Sequence, residues 1–387
     1  MRQDQGVSPA LDSGAVSPSF PTAPASAASP APKAQAPSVQ DSGHLPPSGL
    51  RRFVDLHLQE LVVTAVALAL VLFFTVDSPY FFTSANAEAL AAFIAPIAFF
   101  ALAEVPILIL GEIDLSVGEV YVLSPFVVEY FNNHGVPLAL AIVLTLLVCA
   151  GIGWFNGLVT FKLHIPSFIT TLGVTFALEG IILISSNGAP ANPVGSGTLV
   201  LWLGGAVWAE TYWALAILLL LHVMLRRTTF GLHTVAVGGN SESARESGIK
   251  VDYTKIWCFV LCAFIGGLIG ILDGYHIGSI DPDTPGLTFT FYGIAAAVIG
   301  GTALTGGRGT MIGATIGSIV LGILEDGFHV ISVSSFAYDL ILGIAILVAM
   351  ILNVQIERAS VRGAGHGSFA RVLEATFGRR RKVEMRQ

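Results

Sequence analysis

The stretch Val235-Ala-Val-Gly-Gly-Asn-Ser-Glu-Ser-Ala-Arg-Glu-Ser-Gly-Ile249 is polar, and it lies between two long blocks of almost pure hydrocarbon. How those blocks are read decides the fold. Of the 387 residues, 53% are hydrophobic and only 12% charged, and the mean hydropathy is +0.75. Such values lie outside the range of soluble globular chains and indicate a polytopic membrane protein. The expected fold class is all-α, a bundle of about ten transmembrane helices.

Working outward from the loop, a span requires roughly 17 to 25 mostly apolar residues. Ten segments qualify, centred in 58–76, 88–110, 114–131, 136–160, 166–186, 207–225, 255–275, 289–306, 310–328 and 332–354. Lys and Arg collect on the cytoplasmic face of such proteins, which tests the count. With ten spans, Arg51, Arg52, Lys162, Arg226, Arg227, Arg245, Lys250, Lys255, Arg308, Arg358 and the basic cluster 379–382 all fall on one side. The opposite loops, around Asp77, Asn132, Asn187 and 281–283, carry no Lys or Arg. Both termini and the 226–254 loop are therefore expected in the cytoplasm. The net charge of -7 says little about partners, because it is the placement of basic residues that orients a chain in a bilayer. A nucleic-acid partner is not expected.

Residues 1–50 are rich in Pro, Ser and Ala and contain no apolar run suited to a signal peptide, so a disordered cytoplasmic tail is expected there. The transmembrane domain should cover 51–356, followed by a basic cytoplasmic tail over 357–387. Cys149, Cys258 and Cys262 lie in apolar segments and read as small hydrophobes, with no disulfide framework and no metal site implied.

Within the polar loop, Asn240 or Ser241 can cap a short helix, Glu242 suits its positive end and Gly248 suits its termination. A solvated connector with one helical turn would look the same locally. In Gly111-Glu-Ile-Asp-Leu-Ser-Val-Gly118, Asp114 is placed to cap the third span by accepting the amide of Ser116 or Val117. A break between helices in an apolar region must be buried in protein or line a wet cavity, so broken helices are expected near a pathway.

Glu104, Glu119, Glu179, Asp273, Glu325, Asp326 and Asp339 fall within spans or at their ends. Each would cost roughly 2.5 to 3.5 kcal/mol facing lipid at mid-bilayer, so they are expected to face the bundle interior or a cavity. Pro96 and Pro106 bracket Glu104 and can interrupt the helix ladder around it. Two nucleotide-like patterns are rejected. Gly301-x-x-x-x-Gly306 is followed by Gly307-Arg308 where a phosphate loop needs Lys-Ser/Thr, and Gly151-Ile-Gly-Trp-Phe-Asn-Gly157 lies inside an apolar span. Close helix packing explains both sets of glycines.

Four blocks in order carry a family resemblance over roughly residues 90 to 354: Gly111 to Gly118 as quoted, Ile165-Pro-Ser-Phe-Ile-Thr-Thr-Leu-Gly173, the 238–249 loop, and Ile294-Ala-Ala-Ala-Val-Ile-Gly-Gly-Thr-Ala-Leu-Thr-Gly-Gly-Arg-Gly-Thr310. The chain resembles the permease subunits of bacterial ABC importers for ribose, xylose and related sugars. The resemblance implies a non-enzymatic, multi-pass subunit of the bacterial inner membrane that works by alternating access. It implies an ABC ATPase subunit that binds ATP, an extracytoplasmic solute-binding protein, and a second permease copy or paralogue. No cofactor of the chain's own is implied. The central loop would be the coupling helix, with Gly239, Asn240, Ala244, Arg245 and Gly248 facing the ATPase. Glu104, Asp114, Ser116, Glu119, Phe168, Thr171, Phe291 and Tyr292 are the candidate pathway residues, with Trp154 a further aromatic able to pack on a sugar ring. The chain departs from the family pattern at Glu112, where Gly is usual, at Glu119, where a small residue is usual, at Pro106, and at Glu325-Asp326, where amides are usual. The intramembrane acids also permit an ion-coupled secondary transporter that uses Glu104 or Glu119.

Overall fold

Apolar segments in a membrane fold as helices because lipid offers no partner for a backbone N–H or C=O. The computed structural model describes residues 49–333 and individual positions between 337 and 351, with side chains from residue 59. The helices are α1 (Gly49–Asp77), α2 (Ser84–Ile109), α3 (Val117–Asn133), α4 (Leu138–Leu163), α5 (Ser167–Ser186), the single turn α6 (Thr198–Val200), α7 (Ala209–Arg227), α8 (Thr229–Gly239), α9 (Ser241–Glu246), α10 (Val251–Ile277), α11 (Gly286–Ile299) and α12 (Met311–Val330). A wide turn, Leu201–Gly205, follows α6. Seven of the described helices are long and apolar enough to cross a membrane: α1 from Gln59 on, α2, α4, α5, α7, α10 and α12. The expectations for the 1–50 and 357–387 tails, for Asp339 and for most of the 332–354 span lie outside the described residues.

The centre of the bundle is α2, whose residues from Ala95 to Ile109 are all buried. It packs against α10, α11, α12 and α7, while α4 lies along α10 and α5 lies against α3 and α4. Pro96 and Pro106 both sit inside α2 without ending it. Neighbouring helices satisfy a backbone that proline has opened, so such residues are tolerated in membrane helices.

Two expected spans are shorter than the hydropathy suggested. The 289–306 segment is helical only as α11, 14 residues long and so about 20 Å, less than a hydrocarbon core of about 30 Å. The 114–131 segment starts at Val117, because the residues before it form the break. These two helices cross in backbone contact. A Cβ added to Gly118 would lie 2.0 Å from the Gly286 carbonyl oxygen, and one added to Gly286 would lie 2.5 Å from that of Gly118. The connector also holds more structure than foreseen. Ahead of α9 it forms α8, capped by Thr228, whose Oγ1 accepts from the Gly231 amide at 3.2 Å.

The loops sort into two ends. Gly307 N–H donates to Ile109 O at 2.7 Å, and Gly238 packs on the same carbonyl, so the turn carrying Arg308 joins the loop carrying Arg245 and Lys250. At the other end Ala191 and Ile280 exchange backbone bonds of 2.9 and 3.0 Å. Tyr275 OH donates to Val194 O there at 2.7 Å. The end without lysine or arginine is thus built from the loops that the sequence grouped together.

Candidate functional site

The break between α2 and α3 is held from α5 by side chains. Ile113 N–H donates to Ser167 Oγ at 3.3 Å, and Leu115 N–H donates to Thr171 Oγ1 at 3.1 Å. Asp114 is fully buried, and its Oδ1 accepts from Ser116 N–H at 3.0 Å and from Ser116 Oγ–H at 2.7 Å. The carboxyl takes one of the two amides expected of it but is not the helix cap: the cap residue of α3 is Ser116, which makes no side-chain cap bond, and Asp114 lies two residues ahead of it. Asn156 on α4 donates through Nδ2 to Ser116 Oγ at 2.7 Å. Glu104, also fully buried, lies near Asp114, and its Oε1 accepts from the Cys262 thiol at 3.9 Å. Among the described residues, Glu104 Oε2, Asp114 Oδ2 and Asn156 Oδ1 are buried without a hydrogen-bond partner. Each such atom costs about 1 to 3 kcal/mol, so this polar knot is held in place by the packing around it.

Glu119 has a different setting. It is 5% exposed, and its Oε1 lies beside Gly286 in the first turn of α11. That helix has no side-chain cap of its own at Pro285, so a carboxylate from α3 occupies its positive end. Glu179 on α5 interacts electrostatically with Glu119, yet its own side chain is exposed on the outer face of the chain. Of the two settings expected for an acid within a span, the bundle interior or a wet cavity, Glu179 is thus not in the first. Phe168 on α5 and Phe291 on α11 are also surface residues, 50% and 49% exposed, as is Trp154 on α4. Tyr292 is half-buried against the core.

The structure thus separates the candidate pathway residues. Glu104, Asp114, Ser116 and Thr171 form one sealed polar knot. Glu119, Phe168 and Phe291 border the outward side of α3, α5 and α11. Two residues that sequence reasoning did not single out join the picture. Glu210, in the first turn of α7, is buried, with neither carboxyl oxygen hydrogen-bonded, in the neighbourhood of Asp273, whose Oδ2 accepts a hydrogen bond from Tyr121 OH. An acid in a first helical turn reads as a favourable dipole contact, which hid its burial. Asn156 was read as part of a packing motif. Asp326 is held by Asn86 Nδ2 at 2.7 Å.

In the polar loop, Asn240 Oδ1 accepts from the Glu242 and Ser243 amides, both at 3.0 Å, and starts α9. Gly248, at φ +86°, follows its end. Ala244 is buried, whereas Arg245 points out, with Nη2 3.6 Å from Asp252 Oδ1 and side chains 71% and 48% exposed. Gly239 is open, and an added Cβ would meet nothing within 4 Å. The break is tied to this region by Lys255 Nζ, 2.6 Å from Glu112 Oε1.

A family model described as the permease component of the branched-chain amino acid transport system matches residues 86–351. The chain is 35% identical over 313 residues to the xylose/arabinose import permease protein XylH of Sulfolobus acidocaldarius, covering 78% of this chain and 87% of that one. It is 31% identical over 323 residues to the ribose import permease protein RbsC of Escherichia coli, covering 79% and 97%. It is 29% identical over 284 residues to the autoinducer 2 import system permease protein LsrC of Yersinia enterocolitica, covering 72% and 78%. No solved structure matches the chain. Seven apolar helices long enough to cross a membrane and a family match over residues 86–351 lead to one conclusion: the chain belongs to the branched-chain amino acid transport system / permease component family and is a multi-pass membrane transport subunit.

Proposed function

We propose that this chain is the permease of an ATP-driven ABC importer for a pentose or similar polyol solute. A second permease copy faces it across α5, and the solute passes along α5 where it lies against α3, the helix that also contacts α11. The observation that supports this path is Glu179. It is exposed more than one turn from either end of an apolar helix, where lipid contact would cost roughly 2.5 to 3.5 kcal/mol. A wet path beside a second subunit removes that cost. Carboxylates at Glu119 and Glu179 accept hydrogen bonds from sugar hydroxyls, and Phe168 and Phe291 offer rings to the apolar face of a sugar.

The basic end of the bundle faces the cytoplasm in this reading, following the usual distribution of Lys and Arg. The ATPase subunit docks there on α9 through the exposed Asn240, Arg245 and Gly248, with Gly239 beside them, while Ala244, buried against the bundle, anchors the helix rather than meeting the partner. An extracytoplasmic binding protein delivers solute to the opposite end. The solutes for which the relatives are named, xylose, arabinose and ribose, support a sugar cargo, and the same observation on Glu179 suits any small polyhydroxylated solute.

The test is reconstitution in vesicles. With the ATPase subunit and binding protein present, ATP should drive uptake of labelled D-xylose, L-arabinose or D-ribose. The chain alone should move none of them. Uptake by the chain alone under an ion gradient would replace this reading with an ion-coupled transporter.

A further inference from the structure

Two ion pairs lie in series between the α9 loop and the centre of the bundle. Arg245 on α9 meets Asp252 in the first turn of α10. One turn further along α10, Lys255 Nζ reaches Glu112 Oε1 in the break at 2.6 Å. The two pairs differ in kind. The first is well exposed, so water and salt screen it and it contributes little. The second is sheltered, with side chains 14% and 17% exposed, and is a short charge-assisted hydrogen bond. The same ammonium lies 4.9 Å from the centroid of the Phe161 ring on α4, which adds a cation-π attraction and fixes where the lysine head sits.

Glu112 occupies a junction. Its own N–H donates to Ile107 O of α2 at 3.1 Å. The next residues of the break are bonded to α5, at Ser167 and Thr171. Its side chain alone fastens the segment to α10 by charge. Two residues on, Asp114 organises the start of α3. A displacement of the cytoplasmic end of α10 therefore reaches the Asp114 segment through Lys255 and Glu112. Separating them would leave two sheltered charges unpaired, so the contact resists gradual stretching.

We propose that Lys255 and Glu112 are positioning residues that lock the Gly111 to Ser116 break to α10, so that motion of the α9 loop moves the start of α3. The proposal rests on the importer reading above. Gly238, seated on the Ile109 carbonyl, is a separate attachment of the same loop to the end of α2.

The experiment measures ATP hydrolysis and uptake of D-xylose, L-arabinose and D-ribose together, in vesicles holding the full complex. Wild type is compared with Glu112→Gln, Glu112→Asp, Lys255→Met and the exchange Glu112→Lys with Lys255→Glu. The single neutral variants should keep hydrolysing ATP while moving about tenfold less solute per ATP, a typical size for a coupling between sites. Glu112→Asp, which keeps the charge, should lose less. The exchange should recover most of the wild-type ratio. A purely structural role would lower melting midpoint and recovery of the complex while leaving solute moved per ATP unchanged, and that result would overturn the proposal. So would a loss of coupling that the exchange does not repair. Failure of the wild-type complex to import any of the three sugars would instead count against the importer reading, which keeps the two failures apart.

Discussion

Replacing Gly238 by Ala tests the contact between the polar loop and the end of α2, and Gly239→Ala is its internal control. Both glycines lie in the last turn of α8, where alanine favours the helix by up to about 1 kcal/mol. Their surroundings differ. A Cβ on Gly238 would fall 1.8 Å from the Ile109 carbonyl oxygen, while one on Gly239 would touch nothing within 4 Å. To accept the methyl group, α8 and α2 must part by about 1.5 Å to reach ordinary van der Waals distance. That movement also strains the 2.7 Å bond from Gly307 N–H to the same carbonyl. Overpacking of this kind costs about 1 to 3 kcal/mol and a lost buried hydrogen bond about 1 to 3 kcal/mol. After the helix gain, Gly238→Ala should be destabilised by about 1 to 5 kcal/mol, and Gly239→Ala should be neutral or slightly stabilised. Thermal unfolding of the purified protein in detergent, with recovery of the ATPase subunit on copurification, reads both quantities. Equal melting midpoints for the two variants would refute the close approach of α8 to α2.

Three further outcomes follow from the same geometry. Arg245→Glu should leave stability nearly unchanged, because the exposed pair with Asp252 contributes at most about 1 kcal/mol, yet it should separate ATP hydrolysis from uptake; wild-type uptake in a fully assembled complex would remove Arg245 from the docking surface. Asn156→Ala should lower the melting midpoint by the equivalent of about 1 to 2 kcal/mol, since it removes the 2.7 Å bond to Ser116 beside buried Asp114; an unchanged midpoint would show that the polar knot does not need α4. Glu179→Leu should reduce sugar uptake about tenfold, equivalent to about 1.4 kcal/mol, at constant or higher stability; undiminished transport would place the path elsewhere.

Much of the local chemistry was legible along the chain. Asn240 caps α9 because its short side chain reaches two free amides of the first turn, a property of residue type and spacing. Asp114 reaches Ser116 for the same reason. The partition of Lys and Arg foretold which loops share an end, because each basic residue resists crossing the membrane independently of how the helices pack. Glu179 was legible only in part. Hydropathy shows that an acid is costly in lipid, but it cannot show whether the cost is relieved by the chain's own interior or by something outside it.

The sequence by itself determined the class: an all-α membrane chain, its approximate spans and the Asn240 cap of α9, all set by interactions within a few residues or between a residue and the solvent phase. Only the tertiary structure decided which polar residues meet. Glu104 and Cys262 are far apart in sequence, as are Glu112 and Lys255, and Gly118 and Gly286. Those meetings depend on how helices cross and how closely their backbones approach, and that geometry comes from the simultaneous packing of many side chains, which no local pattern records.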